Sequence, residues 1–182
     1  SDETIILEAQ ASPSMSGDVV LTSNTGARVL QLNGWTYLPE ISIGTLAPAS
    51  GQHGTIVTIP GAGMLGGGAS IDSVTLSGVE VEEIRTNDRD DVIVVVAAES
   101  PGDGLTSGSV VITANTGATA TLENAFTYVV AGSVDRIDPN SGQFGTRVEV
   151  HGSSFYGGGS SVVSVFFGDT DTTIISETDS IV

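Results

Sequence analysis

Five consecutive residues, Asn87-Asp88-Arg89-Asp90-Asp91, hold the densest set of oxygen donors in the chain. A hard cation such as Ca2+ takes about six to eight oxygens, and clustered carboxylates with an amide carbonyl supply that kind of ligand. Asn87, Asp88, Asp90 and Asp91 are therefore the candidate metal ligands. The spacing is not that of an EF-hand loop, and no Gly sits at its centre. The plainer expectation is a solvated acidic loop whose charges guard the apolar strand that follows. A zinc or redox centre has nothing to build on, because Cys is absent and the two histidines, His53 and His151, are far apart in the chain. Serines are abundant, but none sits in a Gly-x-Ser-x-Gly elbow. The stretch Gly66-Gly67-Gly68 lacks the Gly-Lys-Ser/Thr of a phosphate loop. No catalytic site is expected, and Ca2+ is the one cofactor the residues could serve.

The surrounding composition narrows the class. The chain has 182 residues with 22 Asp+Glu against 5 Lys+Arg, a net charge of −17. All the cations are arginines, and Arg28, Arg85, Arg89, Arg136 and Arg147 are scattered. Nucleic-acid binding needs a basic footprint that this chain lacks. No apolar run reaches the ~18–20 residues of a membrane span. Charged residues make up only 15% and the mean hydropathy is +0.22, which speaks against disorder. Ser1 opens without a signal-peptide pattern, so any targeting segment is expected to be absent or removed. Dense Ser and Thr offer sites for O-linked glycans, while no Asn-x-Ser/Thr acceptor occurs.

These residues are placed by a repeat. Pro48-Ala-Ser-Gly-Gln-His-Gly-Thr55 returns as Pro139-Asn-Ser-Gly-Gln-Phe-Gly-Thr146, Asn24-Thr-Gly-Ala27 as Asn115-Thr-Gly-Ala118, and Trp35-Thr-Tyr37 as Phe126-Thr-Tyr128. The offset is 91 residues each time (48 to 139, 24 to 115, 35 to 126). Residues 39–130 hold the complete unit, 1–38 match its second half and 131–182 its first half. His53 falls opposite Phe144 and His151 opposite Pro60, so no histidine site repeats.

The complete unit reads as all-β, with about seven short strands and no sustained helical period. Ile41 and Ile43, Thr55 to Ile59, Ile71 to Leu76, Val79 to Ile84, Val92 to Val96, Ser109 to Thr113 and Thr119 to Val130 are the strand runs. The Asn115–Ala118 turn marks a hairpin. Pro60, with no N–H to give a ladder, is expected at an edge or a strand end. Alternation puts Glu80 and Glu82 on one solvent face of a strand. Trp35, Tyr37, Phe126 and Tyr128 lie two apart and share a face, so they are core candidates. A sugar-stacking platform is the sharper alternative and requires exposed rings.

The opening Pro-x-Ser-Gly-x-x-Gly-Thr-x-Val/Ile-x-Ile/Val-x-Gly (Pro48–Gly61 and Pro139–Gly152) and the closing aromatic-x-Tyr strand resemble the IPT/TIG domain. That resemblance implies tandem immunoglobulin-like antiparallel β-sandwiches and a binding or structural module, often on cell-surface proteins. A half sandwich leaves one face of each sheet and its strand edges uncovered. The third unit stops at Asp179-Ser-Ile-Val182, aligned with Asp91-Val-Ile-Val94, and the first opens at Asp2-Glu-Thr-Ile-Ile-Leu7, the same strand. Asp2, Glu3 and Asp179 thus fall at the acidic loop of their own units. Completion across copies would use Thr4, Ile5, Ile6 and Leu7 on one side and Ile174, Ile175, Ile181 and Val182 on the other. A window of a longer array gives the same string, and closure of the two halves on each other is disfavoured by short connections. The Gly66–Gly68 and Gly157–Gly159 loops, equivalent in the repeat, read plainly as mobile or closely packed loops at one end of the sandwich, with a contact between neighbouring units as the alternative. The expectation is an extracellular or cell-surface filament subunit, a head-to-tail homopolymer. A protein- or glycan-binding module of an adhesin or receptor is the alternative, and an accessory domain of a secreted polysaccharide enzyme the weakest.

Overall fold

The computed structural model describes residues 4–100, 102 and 106–180. All its regular structure is β. The strands in chain order are β1 (Met15–Thr22), β2 (Arg28–Tyr37), β3 (Ser42–Ile43), β4 (Ser50–Gly51), β5 (Ile56–Ala62), β6 (Ile71–Leu76), β7 (Val79–Glu80), β8 (Glu83–Thr86), β9 (Val92–Val96), β10 (Thr106–Ala114), β11 (Thr119–Tyr128), β12 (Ser133–Asp138), β13 (Glu149–Ser153), β14 (Phe166–Phe167) and β15 (Thr170–Asp171).

Strands β3 to β11 form two sheets, ordered β4-β11-β10-β6-β7 and β3-β5-β9-β8. Every pairing is antiparallel except β4 with β11. The apolar residues of each strand alternate inward, as a sheet with one buried face requires. Val57 and Ile59 of β5, Ile93 and Val95 of β9, and Val110 and Ile112 of β10 are fully buried. Phe126 and Tyr128 close the core from β11, ring edge to ring face at 5.1 Å and 82°. Three short strands, β4, β7 and β8, escape the periodicity, because two to four residues are too few to show alternation.

Two local expectations are corrected. Pro60 lies inside β5, two residues before its end, with strands on both sides. Its carbonyl accepts the Gly44 N–H at 2.7 Å, so its missing N–H points at the same place, the irregular stretch between β3 and the Ala47–Thr58 bridge. Glu80 and Glu82 do not share a strand face: β7 ends at Glu80, and Glu82 sits in the turn before β8. Both are exposed, and Glu82 meets His53 at 2.8 Å.

The flanking segments repeat the local geometry without the burial. β1–β2 pairs Met15 with Tyr37 and Thr22 with Arg28, while β10–β11 pairs Thr106 with Tyr128 and Thr113 with Thr119. Even the irregularities coincide: one bulge at Gly17/Val19, the other at Gly108/Val110, and positive φ at Asn33 (48°) and Asn124 (51°). Each turn ends on a left-handed glycine, Gly26 at φ 88° and Gly117 at φ 87°, where a side chain would be strained. Yet β1–β2 is a two-stranded sheet by itself, as are β12–β13 and β14–β15. Among the described residues no ladder joins 4–38 to 131–180.

Phe126→Ala should cost about 3–5 kcal/mol in denaturant unfolding, since it empties a closed core, while Trp35→Ala at the equivalent uncovered position should leave that transition in place. Tyr128 adds a pH effect. Its buried hydroxyl has no hydrogen-bond partner among the described residues, and burial pushes its pKa up. The unfolded phenol therefore ionises first, near its ordinary pKa of about 10, and stability falls from there through the raised folded value. Tyr128→Phe should flatten that alkaline loss in melts above and below the unfolded pKa, without lowering neutral-pH stability.

Candidate functional site

The acidic loop bridges β8 and β9, and its donors are largely committed to the fold. Asp91 takes the Arg89 guanidinium on both oxygens, at 2.9 and 2.8 Å, and that pairing lowers its pKa while raising that of Arg89. Asp90 faces the glycine-rich loop: its Oδ1 accepts the Leu65 N–H at 2.9 Å and its carbonyl the Met64 N–H at 3.2 Å. The Asn87 carbonyl accepts the Ile71 N–H at 2.8 Å. Asp88 is exposed. Among the described residues no group of three or more His, Cys, Asp or Glu side chains converges as an ion would need. The loop's evident work is to hold the 61–71 segment against β9.

The third unit copies this arrangement. Asp179 Oδ1 accepts the Tyr156 N–H at 2.8 Å, its carbonyl faces the Phe155 N–H at 3.3 Å, and the Ser180 carbonyl accepts the Gly152 N–H at 3.1 Å. Asp179 therefore takes the place of Asp90, not of Asp91 as the sequence alignment has it, because the third unit is two residues shorter between the glycine loop and the acid. Burial, with Glu177 and Asp179 nearby, raises the Tyr156 pKa. Asp2 and Glu3 lie outside the described residues.

The residues expected at an assembly contact are not brought together within the chain. Thr4, Ile5, Ile6 and Leu7 are exposed and in no strand. Ile174 is half-buried and Ile175 exposed, also outside any strand. Ile181 and Val182 lie outside the described residues. The largest uncovered apolar surface belongs to the flanking units. Trp35 is 50% exposed where Phe126 is fully buried, and Phe167 is 45% exposed where Leu76 is fully buried. Trp35 and Tyr37 hold the same edge-to-face contact as the buried pair, at 5.8 Å and 82°. The aromatic-x-Tyr motif is thus core at 126–128 and half-open at 35–37.

The glycine loops are closely packed, and both approach the preceding unit, the alternative the sequence offered. A Cβ on Gly67 would come within 2.6 Å of Leu38 Cδ1, and one on Gly158 would sit 3.6 Å from Val129 Cγ2, Leu38 and Val129 being equivalent in the repeat. Gln52, which the motif contains but to which no role is readily given, reaches the second junction, its Oε1 accepting the Gly132 N–H at 2.7 Å. The recurrence of Gln in both copies of the motif is the signal that could have marked it.

Residues 133–182 match the family model of the IPT/TIG domain, so the resemblance carried by the Pro139–Gly152 motif holds for that segment. No curated protein matches the chain. Solved structures with local likeness include an auxiliary nutrient binding protein from Bacteroides ovatus (TM-score 0.38, 19% identity, 53% of this chain and 22% of that one). Another is SGBP-B from a complex xyloglucan utilization locus in Bacteroides uniformis (0.36, 22% identity, 79% and 41%). A third is SGBP-B of the Bacteroides ovatus mixed-linkage glucan utilization locus, in complex with a mixed-linkage heptasaccharide (0.37, 16% identity, 66% and 31%). The chain spans less than half the length of each.

Asp90→Ala should orphan the Leu65 N–H and lower the unfolding free energy by about 1 kcal/mol, with Asp90→Asn close to neutral because it keeps an acceptor. Millimolar Ca2+ or EDTA should leave the wild-type melting curve where it is. An upward shift with Ca2+ that Asp88→Asn removes would instead make the loop an ion site.

Proposed function

We propose that the chain is a stretch of a non-catalytic string of IPT/TIG-like sandwiches displayed outside the cell, in which residues 131–182 and 1–38 are complementary halves, each completed by the matching half of a neighbouring unit, in a second copy or in adjoining sequence. One observation supports this reading above others. β1–β2 reproduces the register, the bulge and the positive-φ asparagine of β10–β11, but exposes the side chains that β10–β11 buries. β12 and β13 hold the repeat positions of β3 and β5, and β14 and β15 those of β6 and β7. Together the two halves carry strands for both sheets of one sandwich. Their exposed faces would close against each other at about 25 cal/mol per Å2 of apolar surface covered. The role is then mechanical: successive sandwiches give length, and completion gives continuity. A net charge of −17 opposes association at low ionic strength, so salt should favour it.

A second reading, a glycan-binding module, draws on Trp35. Its half-open indole, braced by Tyr37, offers the flat apolar face against which a pyranose ring packs.

Trp35 is the only tryptophan, so its emission reports both outcomes. With rising protein concentration at moderate salt, the emission should shift to the blue as Trp35 takes the covered place of Phe126, in step with a rising sedimentation coefficient. Emission that stays solvent-like while the chain stays monomeric at all concentrations sinks completion between copies. A shift produced by soluble oligosaccharide in the monomer, and lost in Trp35→Ala, would establish the glycan reading in its place.

A further inference from the structure

The junction between β11 and β12 is built around one side chain. Gln52 projects from the turn after β4 and accepts the N–H of Gly132, in the connection to the next unit, at 2.7 Å. Its amide also covers the next unit's glycine loop, since a Cβ on Gly157 would lie 2.7 Å from Nε2. Gly158 beside it approaches the Gly51 Cα and Ser50 carbonyl, at 3.5 and 3.6 Å from a built Cβ. The Val129 N–H is tied to the Gly51 carbonyl at 2.9 Å, so turn, closing strand and connection meet at one point.

The other junction has the connection and the glycine loop of this joint without the glutamine, although Gly66, unlike Gly157, is also covered by Ala118 and Thr116 of its own unit. Leu38 holds the place of Val129, Pro39 to Ile41 that of Val130 to Gly132, and Gly66 and Gly67 those of Gly157 and Gly158. The loops match in backbone as well, with φ of 54° at Gly66 against 57° at Gly157. Where Gln52 sits in one joint, the other has a cleft of about 590 Å3 bounded by Leu38, Pro39, Glu40, Gly66, Gly67 and Asp90. A matching glutamine exists elsewhere in the chain. Gln143 occupies the same turn as Gln52: its N–H goes to Thr146 Oγ1 at 3.0 Å, as that of Gln52 goes to Thr55 Oγ1 at 3.0 Å. Its side chain has no partner among the described residues, and Phe144 next to it is 106% exposed.

We propose that the Gln143 turn of one copy docks into the Leu38–Glu40/Gly66–Gly67 cleft of a second copy, with Gln143 Oε1 accepting the Ile41 N–H as Gln52 accepts that of Gly132. The inference rests on the completed-halves reading, because the partner's residues 1–38 must first seat against residues 131–180 to bring the cleft to the turn. It adds that the contact is a repeated latch, which fixes the direction of each sandwich relative to the last.

The chain has no cysteine, which makes a pairwise cross-linking test clean. One copy carries Gln143→Cys and the other Glu40→Cys, and the mixture is treated with a short bis-maleimide. Gln52→Cys with Ala131→Cys in one chain calibrates the reach, and Gln143→Cys mixed with Thr25→Cys, at the far turn of β1–β2, is the control for random collision. The expected result is a covalent dimer from the 143/40 mixture and none from the 143/25 mixture. Gln143→Ala should weaken self-association about five-fold, the loss of one hydrogen bond, with an unchanged thermal transition. Copies that associate by sedimentation but give no 143/40 adduct overturn the latch and leave the completed halves standing. Copies that neither associate nor cross-link overturn both.

Discussion

A two-sheet sandwich has one dry face per sheet, and neither face can be dry alone. That constraint governs this chain more than any single contact. In β3 to β11 the two faces meet, and Val57, Ile59, Ile93, Val95, Val110, Ile112, Phe126 and Tyr128 are sealed between them. In β1–β2 and β12–β13 the same kinds of residue occur at the same repeat positions, but among the described residues no opposing sheet covers them and they are exposed or half-buried. The backbone still folds correctly there, because hairpin register is set locally by the turn glycine and the bulge. Side-chain burial is set by what lies across, and that is not local.

The acidic residues illustrate how the same chemistry can serve a fold or a ligand. An aspartate aimed at backbone N–H groups terminates their search for a partner, as Asp90 does for Leu65 and Asp179 for Tyr156. In the 61–70 loop that anchor works beside Met64, which is fully buried, and Leu65, which packs against the core. The anchored loop then presents its bare backbone to the preceding unit, close enough that a Cβ at Gly67 or Gly157 would collide with Leu38 or Gln52. Acid, glycine loop and junction are thus one device, and it recurs with the repeat. The net charge of −17 makes copies of the chain repel one another at low ionic strength.

Much of the fold was legible from residue order. The 91-residue offset, the β-branched runs at Val92–Val96 and Ser109–Thr113 and the Asn-Thr-Gly-Ala turns all carry local or short-range information, and the strands form where they say. Strands of two residues, such as β4 and β7, were not legible, since they exist only because a neighbour offers hydrogen bonds. Pro60 sits inside a strand for the same reason: its tolerance depends on the irregular stretch of chain opposite it, a fact about the sheet and not about the proline.

Residue types and their spacing decided by themselves that the chain is all-β, repetitive and acidic, and that its strands turn where they do, because periodicity, turn chemistry and charge act within a few residues of their source. Tertiary structure alone decided that Phe126 is core while Trp35 is surface, that Asp179 stands for Asp90, and that Gln52 joins two units. Each of those depends on atoms tens of residues away, and equal local sequence can meet unequal surroundings.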